Sequence, residues 1–365
     1  MSAHPSSGTP MPAEERPAET PVRRDPAAKR QHLDVCLYED VEYRKSTGLE
    51  HWDFLNDALP EVSLEALDLS CSLVGRRLGA PLMISPMTGG TPQAWEFNLR
   101  LARVAQQFGL AMGVGSQRVA LEDPGRARFF RVRQVAPDVA LFANFGGAQL
   151  VHGWGVAEAR RAVEMIEADA LFVHLNPIQE AIQGGDQDFR GLAGRLESLC
   201  RALQADGVPV FAREVGFGLS EPAARRLIEC GVSGLDCAGA GGTSWARVEA
   251  LCARSERRRV LGERFAEWGI PTSQSILNVR RVSQDIPLIA CGGLRDGLDV
   301  ARALALGADI ASMARPMLLH ANVSEARLAA FVESVLTELR VCMFGTGAAE
   351  VRALRGRVFR GVPAV

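Results

Sequence analysis

Eight short apolar runs, each closed by glycine or polar residues, constrain this chain more than any other feature. They lie at 80–84 (APLMI), 111–115 (AMGVG), 139–143 (VALFA), 170–175 (ALFVHL), 208–212 (VPVFA), 233–237 (SGLDC), 287–291 (PLIAC) and 309–313 (DIASM). Each leads into a turn and then usually into a helical pattern. The runs are continuously apolar rather than alternating, as strands buried on both faces must be. Eight strand–helix units in succession predict an α/β fold, a (β/α)8 TIM barrel; a doubly wound open sheet is the alternative. The two differ in where chemistry gathers. In a barrel it collects at the C-terminal ends of all eight strands.

Helix ends are written into the same stretch. Thr91 and Pro92 suit a cap and first turn, and Gly109 a stop. Ser220 can cap a helix running through Leu227 and Ile228 to Gly231. Leu298, Ala301, Leu304 and Ala305 form an apolar stripe that ends at Gly307.

The 365 residues fit one barrel with insertions, and 47% hydrophobic residues supply its core. Only 6% are aromatic, which suits parallel strands under close helices better than a sandwich. Residues 1–27, rich in Pro, Ala, Glu, Ser and Thr, read as a disordered extension with order beginning near Lys29. The expected division is 28–79 as a segment covering barrel and substrate, 80–350 as the barrel, and 351–365 as a tail. A net charge of -2 gives no ground for nucleic acid or an anionic membrane as a partner. The eight cysteines (Cys36, Cys71, Cys200, Cys230, Cys237, Cys252, Cys291 and Cys342) form no CxxC pair and read as reduced thiols of a cytoplasmic protein. No run approaches a membrane span or a signal-peptide core.

The segments that follow the eight runs test the barrel rule. They are Ser85–Gly90, Gly115–Arg118, Asn144–Gly147, His174–Glu180, Arg213–Gly216, Gly239–Trp245, Gly292–Arg295 and Ala314–Pro316. All eight carry residues a ligand would use. Glycines after the last three strands let backbone N–H groups approach a phosphate, which makes Gly292, Gly293 and Ala314-Arg315 candidates for a cofactor phosphate; tight turns alone are the other reading. In the fourth segment His174, Asn176, Gln179 and Glu180 fall within seven positions, and Pro177 bars a regular helix at its own position. A Glu beside an amide and an imidazole suits a Mg2+-bound phosphate, or a surface loop with ordinary hydrogen bonds. Arg118 suits a phosphate fork or a carboxylate on the rim.

At this point the residues resemble a known family. Met87-Thr88-Gly89-Gly90, Gly115-Ser116-Gln117-Arg118, Ala143-Asn144, the HLNPIQE block from His174 to Glu180, Glu214-Val215-Gly216, the AGAGGTSW block from Ala238 to Trp245, and Trp268-Gly269-Ile270-Pro271-Thr272 look like the type 2 isopentenyl-diphosphate isomerases. The likeness runs in order from about Lys29 to about Gly347. The HLNPIQE and AGAGGTSW blocks are specific; glycine pairs are not.

The resemblance implies a flavoenzyme that interconverts isopentenyl and dimethylallyl diphosphates by a 1,3-allylic proton shift, in isoprenoid biosynthesis. It implies reduced FMN, Mg2+ and NADPH as reductant, a prenyl diphosphate substrate, and a homo-oligomer, tetramer or octamer. Carried over by position, Pro86, Met87, Thr88, Ser116, Asn144, Arg213 and Thr243 would meet FMN. Gly293, Leu294, Arg295, Ala314 and Arg315 would hold its phosphate. Lys29, Arg30, Ser116, Arg118, His174, Asn176 and Gln179 would bind substrate, with Gln179 and His174 at the chemistry and Glu180 on Mg2+. Two positions depart from the family. Arg213 stands where Lys is usual, and Ala28 where the Arg of an Arg-Lys-x-x-His pattern is usual, with Arg30 nearby.

Two other functions stay open. Another FMN barrel, such as a 2-hydroxy-acid oxidase or dehydrogenase, needs a strong base near the flavin, and His174 is the one well-placed histidine. A non-catalytic flavin- or prenyl-diphosphate-binding paralogue fits Ala28 and Arg213, while Gln179 and Glu180 speak against it.

Overall fold

A computed structural model describes residues 26–361, with side chains from Arg30 onward. The expected extension 1–27 falls almost wholly outside the described residues, as does the Lys29 side chain. The first described element is a helix, Pro26–Tyr38, which starts three residues before Lys29.

Each apolar run is a strand: β1 (Leu82–Ile84), β2 (Ala111–Gly113), β3 (Ala140–Gly146), β4 (Ala170–Leu175), β5 (Val210–Glu214), β6 (Gly234–Asp236), β7 (Leu288–Cys291) and β8 (Ile310–Met313). They pair in parallel, each with its sequence neighbours, and β8 closes on β1. The closed ring excludes the open-sheet alternative. β3 and β5 run past the apolar run into the polar residues that follow, so Asn144, Arg213 and Glu214 are strand residues rather than loop residues.

Period-two geometry divides each strand between two cores. Alternate residues meet the helices. The others, Met83, Ala111, Phe142, Phe172, Phe211, Ile289 and Ile310 among them, fill the barrel as a separate apolar plug. Phe142 and Phe172 stack at 4.5 Å, and Phe211 meets Phe142 edge-on at 5.3 Å. One pleat further on, at or just past the end of every strand but β2, a side chain able to hydrogen-bond faces inward: Ser85, Asn144, His174, Arg213, Asp236, Cys291 and Ser312, with Gly113 on β2. Cross-strand register agrees, since Met83 pairs with Ser312, Asn144 with Phe172, His174 and Asp236 each with Arg213, and Cys291 with Ser312. A polar ring therefore lies on an apolar floor at the C-terminal mouth.

The expected caps are present. Thr91 accepts from Ala94 N–H and Gly109 ends the helix Pro92–Phe108 with φ +62°. Ser220 accepts from Ala223 N–H at the start of Glu221–Glu229. The stripe on Gly297–Ala305 holds at Ala301, Leu304 and Ala305, but Leu298 is exposed and Val300 takes its place in the core. Pro177 does not open a loop: it is the first residue of a helix, Pro177–Gln183, where its missing N–H costs nothing. Two small sheets went unread in the sequence. Trp52–Phe54 pairs antiparallel with Val358–Arg360, and Cys71–Leu73 with Arg76–Leu78. All eight cysteines are free. No helix among the described residues is long and apolar enough to cross a membrane.

Candidate functional site

The polar ring opens into one cavity of about 260 Å3, and all eight strand tips contribute to its wall. Pro86, Met87 and Thr88 come after β1 and Ser116 after β2. Asn144 comes from β3, and His174, Asn176 and Gln179 from β4 and its helix. Arg213 ends β5, Thr243 follows β6, Gly293, Leu294 and Arg295 follow β7, and Ala314 and Arg315 follow β8.

Three predicted residues do not line that wall. Arg30 lies exposed on the N-terminal helix beside Asp34. Arg118 points its guanidinium at Glu122 (2.8 Å) and Asp186 (3.4 Å). Glu180 is buried one side chain behind the cavity: Asn176 Nδ2 donates to its Oε1 at 2.9 Å, while Gln183 Nε2 (2.7 Å) and the Asp186 N–H (3.0 Å) donate to its Oε2. Gln117 of the same motif serves the scaffold instead, bonding the Asn144 N–H and the Ala162 carbonyl.

The inward ring is wired by hydrogen bonds. Arg213 pairs with fully buried Asp236 and donates to Ser85 Oγ at 2.8 Å, its guanidinium 5.6 Å above the Phe172 ring. Burial pushes the Asp236 carboxyl up, and Arg213 opposes the shift. Asn144 Nδ2 donates to the Val114 carbonyl at 3.1 Å, which turns its Oδ1 toward His174 Nδ1 at 2.9 Å. The imidazole must then carry its proton on Nδ1. Glu214 Oε2 accepts the N–H groups of Val215, Gly216, Phe217 and Gly218, which fixes the loop after β5 against the cavity.

On the β4 side an amide is held at both ends. Asn176 Nδ2 donates to Gln179 Oε1 at 3.0 Å, and Gln179 Nε2 donates to Glu249 Oε1 at 2.7 Å. Glu249 is a buried residue of the helix Trp245–Cys252, and the same oxygen meets His32 Nε2 at 3.3 Å. The sequence reading missed Glu249. Its only signal was a carboxylate five residues after Ser244, on the inner side of a helix.

His32 carries its own consequence. Burial alone would lower its pKa, but hydrogen bonds to Cys252 and Glu249 overcome that and push it up from 6.5 to about 10. A group raised in the folded state contributes stability that is complete below its unfolded pKa and is lost as pH rises through the folded value. Urea midpoints should therefore fall between about pH 6.5 and about pH 10, and fall less in His32→Gln. Equal declines in both proteins would remove His32 from that role.

The glycines of the rim serve close packing of the loops: Gly292 and Gly293 hold φ +103° and +78°, and a Cβ on Gly242 would run into the Gly293 backbone. The fit to a bound polar group rests on another atom. Ser312 Oγ, on the cavity wall, is the one buried side-chain polar atom without a partner among the described residues. Leaving a hydroxyl so costs about 1–3 kcal/mol, so a polar ligand is favoured there.

Comparisons with known proteins agree in direction. The sequence model of the FMN-dependent dehydrogenase family matches residues 26–132 and 200–360. Isopentenyl-diphosphate delta-isomerase from a Synechococcus species is 52% identical over 90% of this chain and 94% of its own. The Nostoc protein of the same name is 50% identical over 90% and 93%, and that of Mycolicibacterium vanbaalenii 43% over 92% and 96%. Among solved structures, mandelate oxidase with (S)-2-phenylpropionate superposes with a TM-score of 0.62 at 18% identity, covering 92% of this chain and 97% of that one. That likeness concerns the fold alone.

Proposed function

This chain belongs to the isopentenyl-diphosphate delta-isomerases, within the FMN-dependent dehydrogenase family, and from that footing we propose that it interconverts isopentenyl and dimethylallyl diphosphates by a 1,3-allylic proton shift, with reduced FMN, Mg2+ and NADPH as reductant. The observation that carries this reading is the Gln179 amide on the cavity wall, fixed between Asn176 and the Glu249 carboxylate.

The substrate alkene has no acidic proton, and moving its double bond develops tertiary cationic character. Bound reduced FMN supplies an electron-rich plane and exchangeable protons beside such a centre. Pro86, Met87, Thr88, Ser116, Asn144, Arg213 and Thr243 would hold the ring, and Gly293, Leu294, Arg295, Ala314 and Arg315 the phosphate. Ser116, His174 and Asn176 would orient the substrate, while Arg118 and Arg30, each held by a carboxylate off the cavity wall, are not assigned to its diphosphate. An amide cannot titrate near neutral pH. Gln179 therefore acts by aiming its Oε1 and Nε2, the latter held by the Glu249 carboxylate at 2.7 Å. His174 donates its Nδ1–H to the Asn144 amide oxygen, which fixes the ring plane on the cavity wall.

Mg2+ asks for one or two carboxylates together with phosphate oxygens and water. Glu180, oriented by three N–H donors next to Asn176, fits a one-carboxylate ion. Among the described residues no group of three or more His, Cys, Asp or Glu could enclose a metal, so the substrate would complete the set. Glu180→Gln should raise the Mg2+ needed for half-maximal rate by about tenfold or more. An unchanged Mg2+ titration would unseat the assignment.

The same reading takes 28–79 as a cover over barrel 80–350 with tail 351–365, and makes the protein a cytoplasmic homo-oligomer. The direct test is an anaerobic incubation of isopentenyl diphosphate with FMN, Mg2+ and reductant in D2O, followed by NMR. Deuterated dimethylallyl diphosphate is the expected product; recovery of unlabelled substrate alone would reject the reading.

A further inference from the structure

Glu42 belongs to no motif and takes no part in the proton shift, yet it borders the cavity. It sits on a strap, residues 41–43, laid antiparallel along the loop after β6. The Ser244 N–H donates to the Val41 carbonyl and the Tyr43 N–H to the Gly242 carbonyl, both at 2.8 Å, with Glu42 opposite Thr243. Val41 and Tyr43 are buried, so extended geometry turns Glu42 to the other side. There its oxygens meet the guanidiniums that follow the seventh and eighth strands: Arg315 Nη1 to Oε1 at 2.8 Å and Arg295 Nη2 to Oε2 at 3.0 Å.

Both arginines are otherwise spent on backbone carbonyls. Arg295 reaches those of Gly293 and Gly241, and Arg315 those of Cys36 and Glu39. The rim thus sets two cations against one resident anion, and a phosphate arriving there meets a field already reduced. The glycine backbones contribute dipoles but no net charge.

We propose that Glu42 is a specificity-determining residue that holds down the affinity of the rim for a phosphorylated flavin, so that the phosphate contributes less to binding than two arginines would otherwise give. This rests on the cofactor reading above. The effect is electrostatic and acts only on the charged end of the ligand. A neutral flavin that shares the ring and sugar chain, riboflavin, is the internal control.

The test is titration of flavin-stripped protein with FMN and with riboflavin, read by flavin fluorescence, for wild type, Glu42→Gln and Glu42→Asp. Removing one charge near a dianion at a half-exposed site should raise the FMN-to-riboflavin affinity ratio about three- to tenfold in Glu42→Gln. The gain should shrink as salt is added. Glu42→Asp keeps the charge and should keep the wild-type ratio. A strap that merely loosens would weaken both flavins alike, and a ratio in Glu42→Gln that stays level or falls would overturn the proposal. Wild-type protein that bound neither flavin would instead sink the cofactor reading itself.

Discussion

Gln179→Met should lower kcat by about 10^2- to 10^4-fold while FMN stays bound. Methionine keeps the volume and the unbranched shape. It removes both hydrogen bonds, to Asn176 and to Glu249, that aim the amide. Flavin absorbance measures cofactor content, and initial rates under anaerobic, reduced conditions measure the loss. Gln179→Glu should fail differently. It puts a second carboxylate where the amide now sits 2.7 Å from Glu249, and two such groups cannot both be ionised. Its residual rate should rise as pH falls, whereas that of Gln179→Met should not. Near wild-type turnover in Gln179→Met would move the chemistry to another part of the cavity.

Arg213→Leu should destabilise the fold by about 3–5 kcal/mol at neutral pH, because it leaves Asp236 charged, buried and without its partner. The sign with pH follows from the direction of the Asp236 shift, which is upward. A carboxyl raised in the folded state favours folding at low pH and loses that contribution as pH rises past its folded value. The deficit of the variant should therefore be small in acid and grow toward neutrality. Arg213→Leu combined with Asp236→Leu should recover most of the loss. Arg213→Lys, the residue usual in the family, keeps the charge but cannot reach Asp236 and Ser85 together as the fork does, and should cost less. Urea unfolding of the three variants checks all of this. An equal loss in the single and double leucine variants would show that the ion pair is not the cause.

The barrel was legible because each strand is buried on both faces, so eight apolar runs survive in the sequence without alternation. The two small sheets were not, because three-residue elements such as Cys71–Leu73 and Arg76–Leu78 mix polar and apolar residues and depend on partners elsewhere. The strand tips were legible for a local reason: a strand end and its loop lie together in sequence and in space. What joins the tips was not. Gln179 meets Glu249 across 70 positions, and Glu42 meets Arg295 and Arg315 across 253 and 273. Charge alone could not say where Arg118 and Arg30 point, and each lies with a carboxylate away from the cavity wall. Pro177 read as a break and is a beginning, since the first turn of a helix has no use for its N–H.

The most direct measurement compares turnover of isopentenyl diphosphate by the FMN-loaded protein in its oxidised state and after anaerobic reduction by NADPH or dithionite. Isomerisation should be confined to the reduced state and vanish on reoxidation while the flavin remains bound. Equal rates in both states, or turnover by protein stripped of flavin, would contradict the claim that the eight strand tips surround a single working flavin.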